Sequence, residues 1–145
     1  VSEVQASTRL AQVQAGDSLP WRELVCDNVQ SMLYNAALWN GHRIHFDEPY
    51  AKQVEGYPGL VVPGPLLGDW LHQCLEEWLG EDGYIASIEY SNRIAVYTGD
   101  KVRSGGTVTG CYPDRAEAEV EVFILNEAGE TVAPGKALVR FTGNW

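Results

Sequence analysis

PLLGDWLHQCLEEWL, residues 65–79, is the most hydrophobic helix pattern in the chain, and how it must be covered decides the fold. Pro65 suits a first helical position and Gly80 suits the stop. At helical spacing, Leu66, Leu67, Trp70, Leu71, Cys74, Leu75, Trp78 and Leu79 form an apolar band broader than a surface helix needs. Asp69, His72, Gln73 and Glu76 are left as a narrow polar stripe. Such a helix has to be wrapped. Four strand-like segments follow it: Tyr84–Tyr97, Gly106–Tyr112, Ala116–Leu125 and Thr131–Phe141. Between them, Gly99-Asp100, Pro113-Asp114 and Ala128-Gly129 are turn chemistry. Val120, Val122 and Ile124 alternate with Glu119, Glu121 and Phe123, giving one apolar and one largely wet face. The expected architecture is α+β, with one antiparallel sheet curled around one long helix.

Upstream of that helix the signals are shorter. Val1–Arg9 is a polar lead expected to fray. Leu10–Val13 reads as a short strand, closed by the turn signal at Ala15–Asp17, and Trp21–Val25 as a second extended piece. Asp27 then opens a helix, with Gln30 three residues on completing a capping-box pattern. Val29, Leu33, Ala36 and Asn40 share one face of it, expected to pack inward and to end in a polar amide. Asn40 also reads as a C-cap, with Gly41 as the left-handed residue after it.

The length, 145 residues, suits a single domain over 1–145. Hydrophobic content of 45% with 21% charged residues is that of a soluble globular protein. No apolar run approaches the roughly 18 residues of a membrane span, and no signal-peptide pattern opens the chain, so no membrane is expected. Cys26, Cys74 and Cys111 are odd in number and lack CxxC spacing, which reads as reduced thiols in a cytoplasmic protein. A net charge of −10 argues against nucleic acid, whose binders need a basic face. A phosphate-bearing ligand would have to find a local basic cluster.

Residues 40–66 read NGHRIHFDEPYAKQVEGYPGLVVPGPL, with two histidines, an arginine and four prolines. That density of irregular-backbone residues suits a loop on a rigid scaffold, where chemistry tends to sit. The passage resembles the hydratase motif of the MaoC-like (R)-specific enoyl-CoA hydratases and dehydratases. That motif runs Asp-x-Asn-Pro-apolar-His-x-acidic, then Tyr-Ala and a Val-His-Gly-like step into a helix. Asn40, His42, Arg43, Ile44, His45, Asp47, Tyr50-Ala51 and Val62-Pro63-Gly64 carry the likeness. NGHRIH with EGYPGLVV behind it is similar, more narrowly, to mesaconyl-CoA hydratase-like and type 2 hydroxyacyl-thioester dehydratase-like proteins. The likeness is good over roughly residues 27–80. It implies a hot-dog fold, which is the element order already read. It also implies a lyase that adds or removes water at the α,β double bond of an acyl thioester of coenzyme A or an acyl carrier protein. No cofactor is implied beyond the coenzyme A or phosphopantetheine arm of the substrate. Pairing of sheets into a homodimer or larger assembly goes with the fold.

Adding water to an unsaturated thioester needs a base for the water, an acid for the α-carbon and donors for the thioester oxygen. His45 is the candidate acid and base, because imidazole serves either role near neutral pH. Without the motif, a histidine between Ile44 and Phe46 would read as a hydrogen-bonded structural residue. Asn40 stands where the wider family usually has an Asp that activates water, although in the closer branch with its NGHRIH-like motif an Asn is unsurprising. An amide orients water but cannot take its proton. Either His45 works alone, with Asn40 orienting the water, or a carboxylate arrives from elsewhere, and Asp69 is the best placed. The plainer reading of Asp69 is an acid compensating a helix dipole. Asp47 is expected to hold the loop through backbone hydrogen bonds, and His42, at the motif's Asn position, to shape it. Gly64, where loop meets helix, offers N–H groups that would polarise the carbonyl. Pro63 replaces the family's usual His there and removes one donor.

Arg43, with Arg93, Lys101 and Arg103, is a candidate contact for phosphates of a coenzyme or carrier arm. Trp39, like Trp70 and Trp78, reads as core or pocket wall. His42-x-x-His45 with Asp47 lacks convincing third and fourth ligands, so no metal is expected. There is no GxSxG elbow, P-loop lysine or dinucleotide fingerprint. Two other readings stay open. One is a thioesterase or biosynthetic cyclase using Asp69 as its base; the other is a catalytically weakened subunit that supports an active hot-dog partner.

Overall fold

The central helix forms where its apolar band requires it. In the structure, a computed structural model that describes residues 9–142, α3 spans Gly64–Leu79. All eight residues of the predicted band are buried, Leu71 and Leu75 completely, while Asp69, Gln73 and Glu76 stay exposed. Each such side chain contributes about 1.5–3 kcal/mol when fully buried, which is why only the narrow polar stripe of this helix is left to solvent.

Two shorter helices precede it, α1 at Asn28–Ala37 and α2 at Glu48–Gln53. Among the described residues five strands make one antiparallel sheet: β1 Arg22–Val25, β2 Gly83–Tyr90, β3 Lys101–Tyr112, β4 Glu117–Leu125 and β5 Thr131–Phe141. Their order is β1-β3-β4-β5-β2, and α3 packs on β2, β3, β4 and β5. Val120, Val122 and Ile124 turn inward with Val132 and Val139, leaving Glu119 and Glu121 outside. This is the hot-dog arrangement expected from the element order. The polar lead expected to fray lies almost wholly outside the described residues.

Several boundaries differ from the sequence reading. Leu10–Val13 is not a strand but a 3₁₀ turn over Leu10–Gln12. The N–H groups of Gln12 and Val13 return to the carbonyls of Arg9 and Leu10, so they are not free to pair with a neighbour. Sheet-like pairing begins later, where Gly16 and Leu19 donate to the Val108 and Gly106 carbonyls of β3. β3 in turn starts at Lys101 and runs through Gly105 and Gly106. A Cβ on Gly105 would stand 2.7 Å from the Trp21 ring, so here glycine permits a close approach and does not break the strand.

β2 stops at Tyr90, although the strand pattern ran to Tyr97. Ser91 still donates to the Pro134 carbonyl, so Pro134 turns its backbone toward β2. Its nitrogen carries no hydrogen to return, so the regular ladder gives way there to single bonds, with Arg93 donating to the Val132 carbonyl. A larger correction concerns α1. Its predicted inward face is outward: Val29 and Leu33 are 61% and 57% exposed, and the buried residues are Ser31 and Asn35. The helix also ends earlier than expected. Trp39, not Gly41, takes the left-handed conformation (φ 58°) and is 95% exposed, so it is no part of the core.

Candidate active site

The loop from Trp39 to Pro63 is held at every turn by its own polar groups. After the reversal at Trp39, the Asn40 N–H donates to the Asn35 carbonyl (2.9 Å), and the His42 N–H donates to Asn40 Oδ1 (3.1 Å). A 3₁₀ turn over Arg43–His45 follows. Asp47 then caps α2: its Oδ1 accepts from the Tyr50 N–H (3.1 Å) and its Oδ2 from Arg43 (2.8 and 3.0 Å). The Arg43 guanidinium and the Tyr50 N–H hold the Asp47 carboxyl below its usual range. Arg43 also lies over the Tyr50 ring, 4.2 Å from its centre. Asp47 thus holds the loop as expected from the sequence. The returning segment is pinned between this turn and the loop after β2, with Val61 donating to Ile44, Val62 to Val96 and Thr98 to Leu60.

His45 sits in the middle of this clamp. Its backbone carbonyl accepts from Ser31 Oγ at 2.6 Å, and its Nδ1 lies 2.7 Å from the Val61 carbonyl. A carbonyl only accepts, so Nδ1 carries the proton and the lone pair is on Nε2. Burial lowers the pKa of His45, the Val61 bond raises it in part, and the charge of His42 lowers it again. The His42 ring meets the His45 ring edge-on, with centroids 5.5 Å apart. The arrangement is a neutral imidazole with a free basic nitrogen, fixed at both backbone and ring.

The other candidate residues divide into two groups. His42 stands beside His45, and Asn40 is on the same loop, with its Oδ1 already engaged by the His42 N–H. Gly64 opens α3, and Pro63 before it provides no side-chain cap. A Cβ at Gly64 would meet the side-chain amide of Asn92, so that exposed side chain stands over this helix end. Asp69, on α3, is exposed, and its Oδ2 accepts from the Tyr34 hydroxyl at 2.6 Å. Arg43 is spent on Asp47 and Tyr50, while Arg103 lies over the Trp21 ring. Trp39 lines a mostly apolar groove of about 440 Å³ with Met32, Ala36, Asn40 and Phe46.

The family model for hydroxyacyl-thioester dehydratase type 2 matches residues 2–98. The chain belongs to the hydroxyacyl-thioester dehydratase type 2 family. A mesaconyl-C(4)-CoA hydratase of Chloroflexus aurantiacus is 52% identical over 46 residues, 32% of this chain and 16% of that protein. The mitochondrial hydroxyacyl-thioester dehydratase type 2 of Saccharomyces cerevisiae is 33% identical over 64 residues, 44% of this chain and 22% of the relative. In both cases the match takes in less than a quarter of the relative's length. Two solved structures share the fold. An (R)-hydratase from A. caviae involved in PHA biosynthesis gives a TM-score of 0.82 at 20% identity, over 89% of this chain and 97% of that one. An unliganded R-hydratase from Pseudomonas aeruginosa gives 0.85 at 17%, over 93% and 86%.

In this member of the hydroxyacyl-thioester dehydratase type 2 family, three residues near the site escaped the sequence reading. Ser31 holds His45, Tyr34 holds Asp69, and Asn35 is buried with neither side-chain amide atom partnered. Ser31 and Asn35 lie four apart on one helix face. A polar pair at that spacing opposite an apolar face is the signal that would have found them.

Proposed function

We propose that the chain is a hydro-lyase acting at the α,β double bond of an acyl thioester, with His45 as its acid and base. The observation that carries this is the 2.7 Å bond from His45 Nδ1 to the Val61 carbonyl, which leaves Nε2 basic and the ring fixed. In the hydration direction Nε2 takes a proton from water as the water oxygen bonds to the β-carbon. The electron pair of the double bond moves to the α-carbon and into the thioester carbonyl. The imidazolium then returns the proton to the α-carbon, so the histidine ends neutral and one water has been added. Dehydration is the reverse.

The Gly64 N–H at the start of α3 polarises the thioester oxygen in this scheme, where the helix dipole favours developing negative charge. Asn40 orients the water through what its amide has left after binding the His42 N–H. His42, Arg43 and Trp39 form the loop around the substrate. No cofactor is called for beyond the coenzyme A or phosphopantetheine arm that the substrate carries. Three free thiols, Cys26, Cys74 and Cys111, suit a reducing compartment such as the cytoplasm. The thioesterase or cyclase reading is weaker because its base, Asp69, is occupied by Tyr34. The weakened-subunit reading keeps one support, the amide at Asn40 where the wider MaoC-like family usually has a carboxylate.

Purified protein assayed with a crotonyl thioester of coenzyme A separates these readings by its product: hydration, thiol release, or nothing. His45→Ala should cost at least about 100-fold in turnover with the fold intact. Near-normal turnover in that variant would remove His45 from the mechanism.

A further inference from the structure

α1 is an unusually polar-anchored helix. Neither of its buried residues, Ser31 and Asn35, is apolar, and Tyr34 is its side chain that packs against the hydrophobic core. The hydroxyl at the end of that same ring donates to Asp69 Oδ2 at 2.6 Å, on the second turn of α3. Ser31, three residues earlier on the same face, donates to the His45 carbonyl at 2.6 Å. α1 therefore joins the histidine's loop to the helix whose first residue is Gly64. The contact is closed from the other side by β2: a Cβ on Gly68 would collide with the hydroxyl end of Tyr90, so that ring sits directly over α3 beside Asp69.

We infer that Tyr34 and Asp69 are positioning residues: their hydrogen bond fixes α1 along α3 and, through Ser31, fixes His45 relative to the N-terminus of α3. The inference rests on the hydro-lyase reading, and it gives Asp69 a task other than proton transfer. Placement matters because reacting groups displaced by about 1 Å lose up to about 100-fold in rate. A helix with little apolar burial depends on such bonds for its register. An amide at position 69 would preserve the acceptor, since its carbonyl oxygen takes the same proton from Tyr34.

The test measures kcat and KM for Tyr34→Phe, Asp69→Ala, the double variant and Asp69→Asn, well below the melting transition of each. Tyr34→Phe and Asp69→Ala should each lower kcat about 10-fold with KM little changed. The double variant should be no slower than the worse single one, because both remove the same bond. Asp69→Asn should keep most of its turnover. A dead Asp69→Asn beside a near-normal Tyr34→Phe, or additive losses, would overturn the inference. If wild-type protein turns over no enoyl thioester, the hydro-lyase reading fails separately. The His45 ring resonances in an NMR titration then decide the positioning claim. They should move together in Tyr34→Phe and Asp69→Ala and stay put in Asp69→Asn; unmoved resonances in all three would refute it.

Discussion

At the scale of single residues, the proposed chemistry turns on which nitrogen of His45 is free and at what pH. Burial and the neighbouring His42 charge push its pKa below the ordinary 6.5. The base form is then fully present at neutral pH, and the acid limb of kcat/KM should fall below pH 6.5. His42→Ala removes the like charge, so the limb should move upward, toward 6.5. A pH–rate profile that stays where it was would show that His42 has no electrostatic hold on the site. The same shift has a stability sign. Between the lowered folded value and 6.5, the unfolded chain binds a proton that the folded one does not. Stability is therefore lost as pH falls through that window. His45 was legible in the sequence because its neighbours Asn40, Ile44, Asp47 and Gly64 carry the motif. Ser31 and Tyr34 were not, because a serine and a tyrosine on a helix look the same whether they face water or hold another element.

At the scale of elements, α3 and α1 make opposite lessons. The band of α3 covers so much of its circumference that only one environment fits, and every residue in it is buried. The stripe of α1 named a face but not what covers it. Hydrophobicity places Val29, Leu33 and Ala36 together, yet the chain itself covers the other side, through Ser31 and Asn35, because that side carries the bonds to the His45 loop. Within one chain, then, the apolar side of α1 adds little to stability. Leu33→Ala should lower the unfolding free energy measured in urea by no more than about 0.5 kcal/mol in the monomer, whereas Leu75→Ala, fully buried, should cost about 2–5 kcal/mol. Equal losses in the two variants would mean that α1 is covered in solution. Ser31→Ala tests the polar side of the same helix. It leaves the buried His45 carbonyl without its donor, so turnover should fall together with about 1–3 kcal/mol of stability.

At the scale of the whole molecule, the exposed apolar surface sets the expectation for assembly. Val29, Met32, Leu33, Leu38 and Phe46 are each more than 40% exposed around the loop that carries His45. Among the described residues β1 and β2 are the edges of the sheet, and β2 has eight residues of backbone along its edge. Both features ask for a second subunit, and the fold pairs sheets readily. The opposing term is charge. Two copies that each carry −10 repel one another, and at ordinary ionic strength that repulsion is screened over about 8–10 Å. Assembly driven by apolar burial against such repulsion should therefore tighten with salt, the reverse of an interface held by ion pairs. Light scattering at about 10 µM should give twice the monomer mass or more, for an interface of about 1,200–2,000 Å². Between low and high salt the apparent dissociation constant should fall. A monomer at every salt concentration would leave the α1 face and the β2 edge to a different partner chain; a dimer that loosens with salt would place charged residues, not these, at its centre.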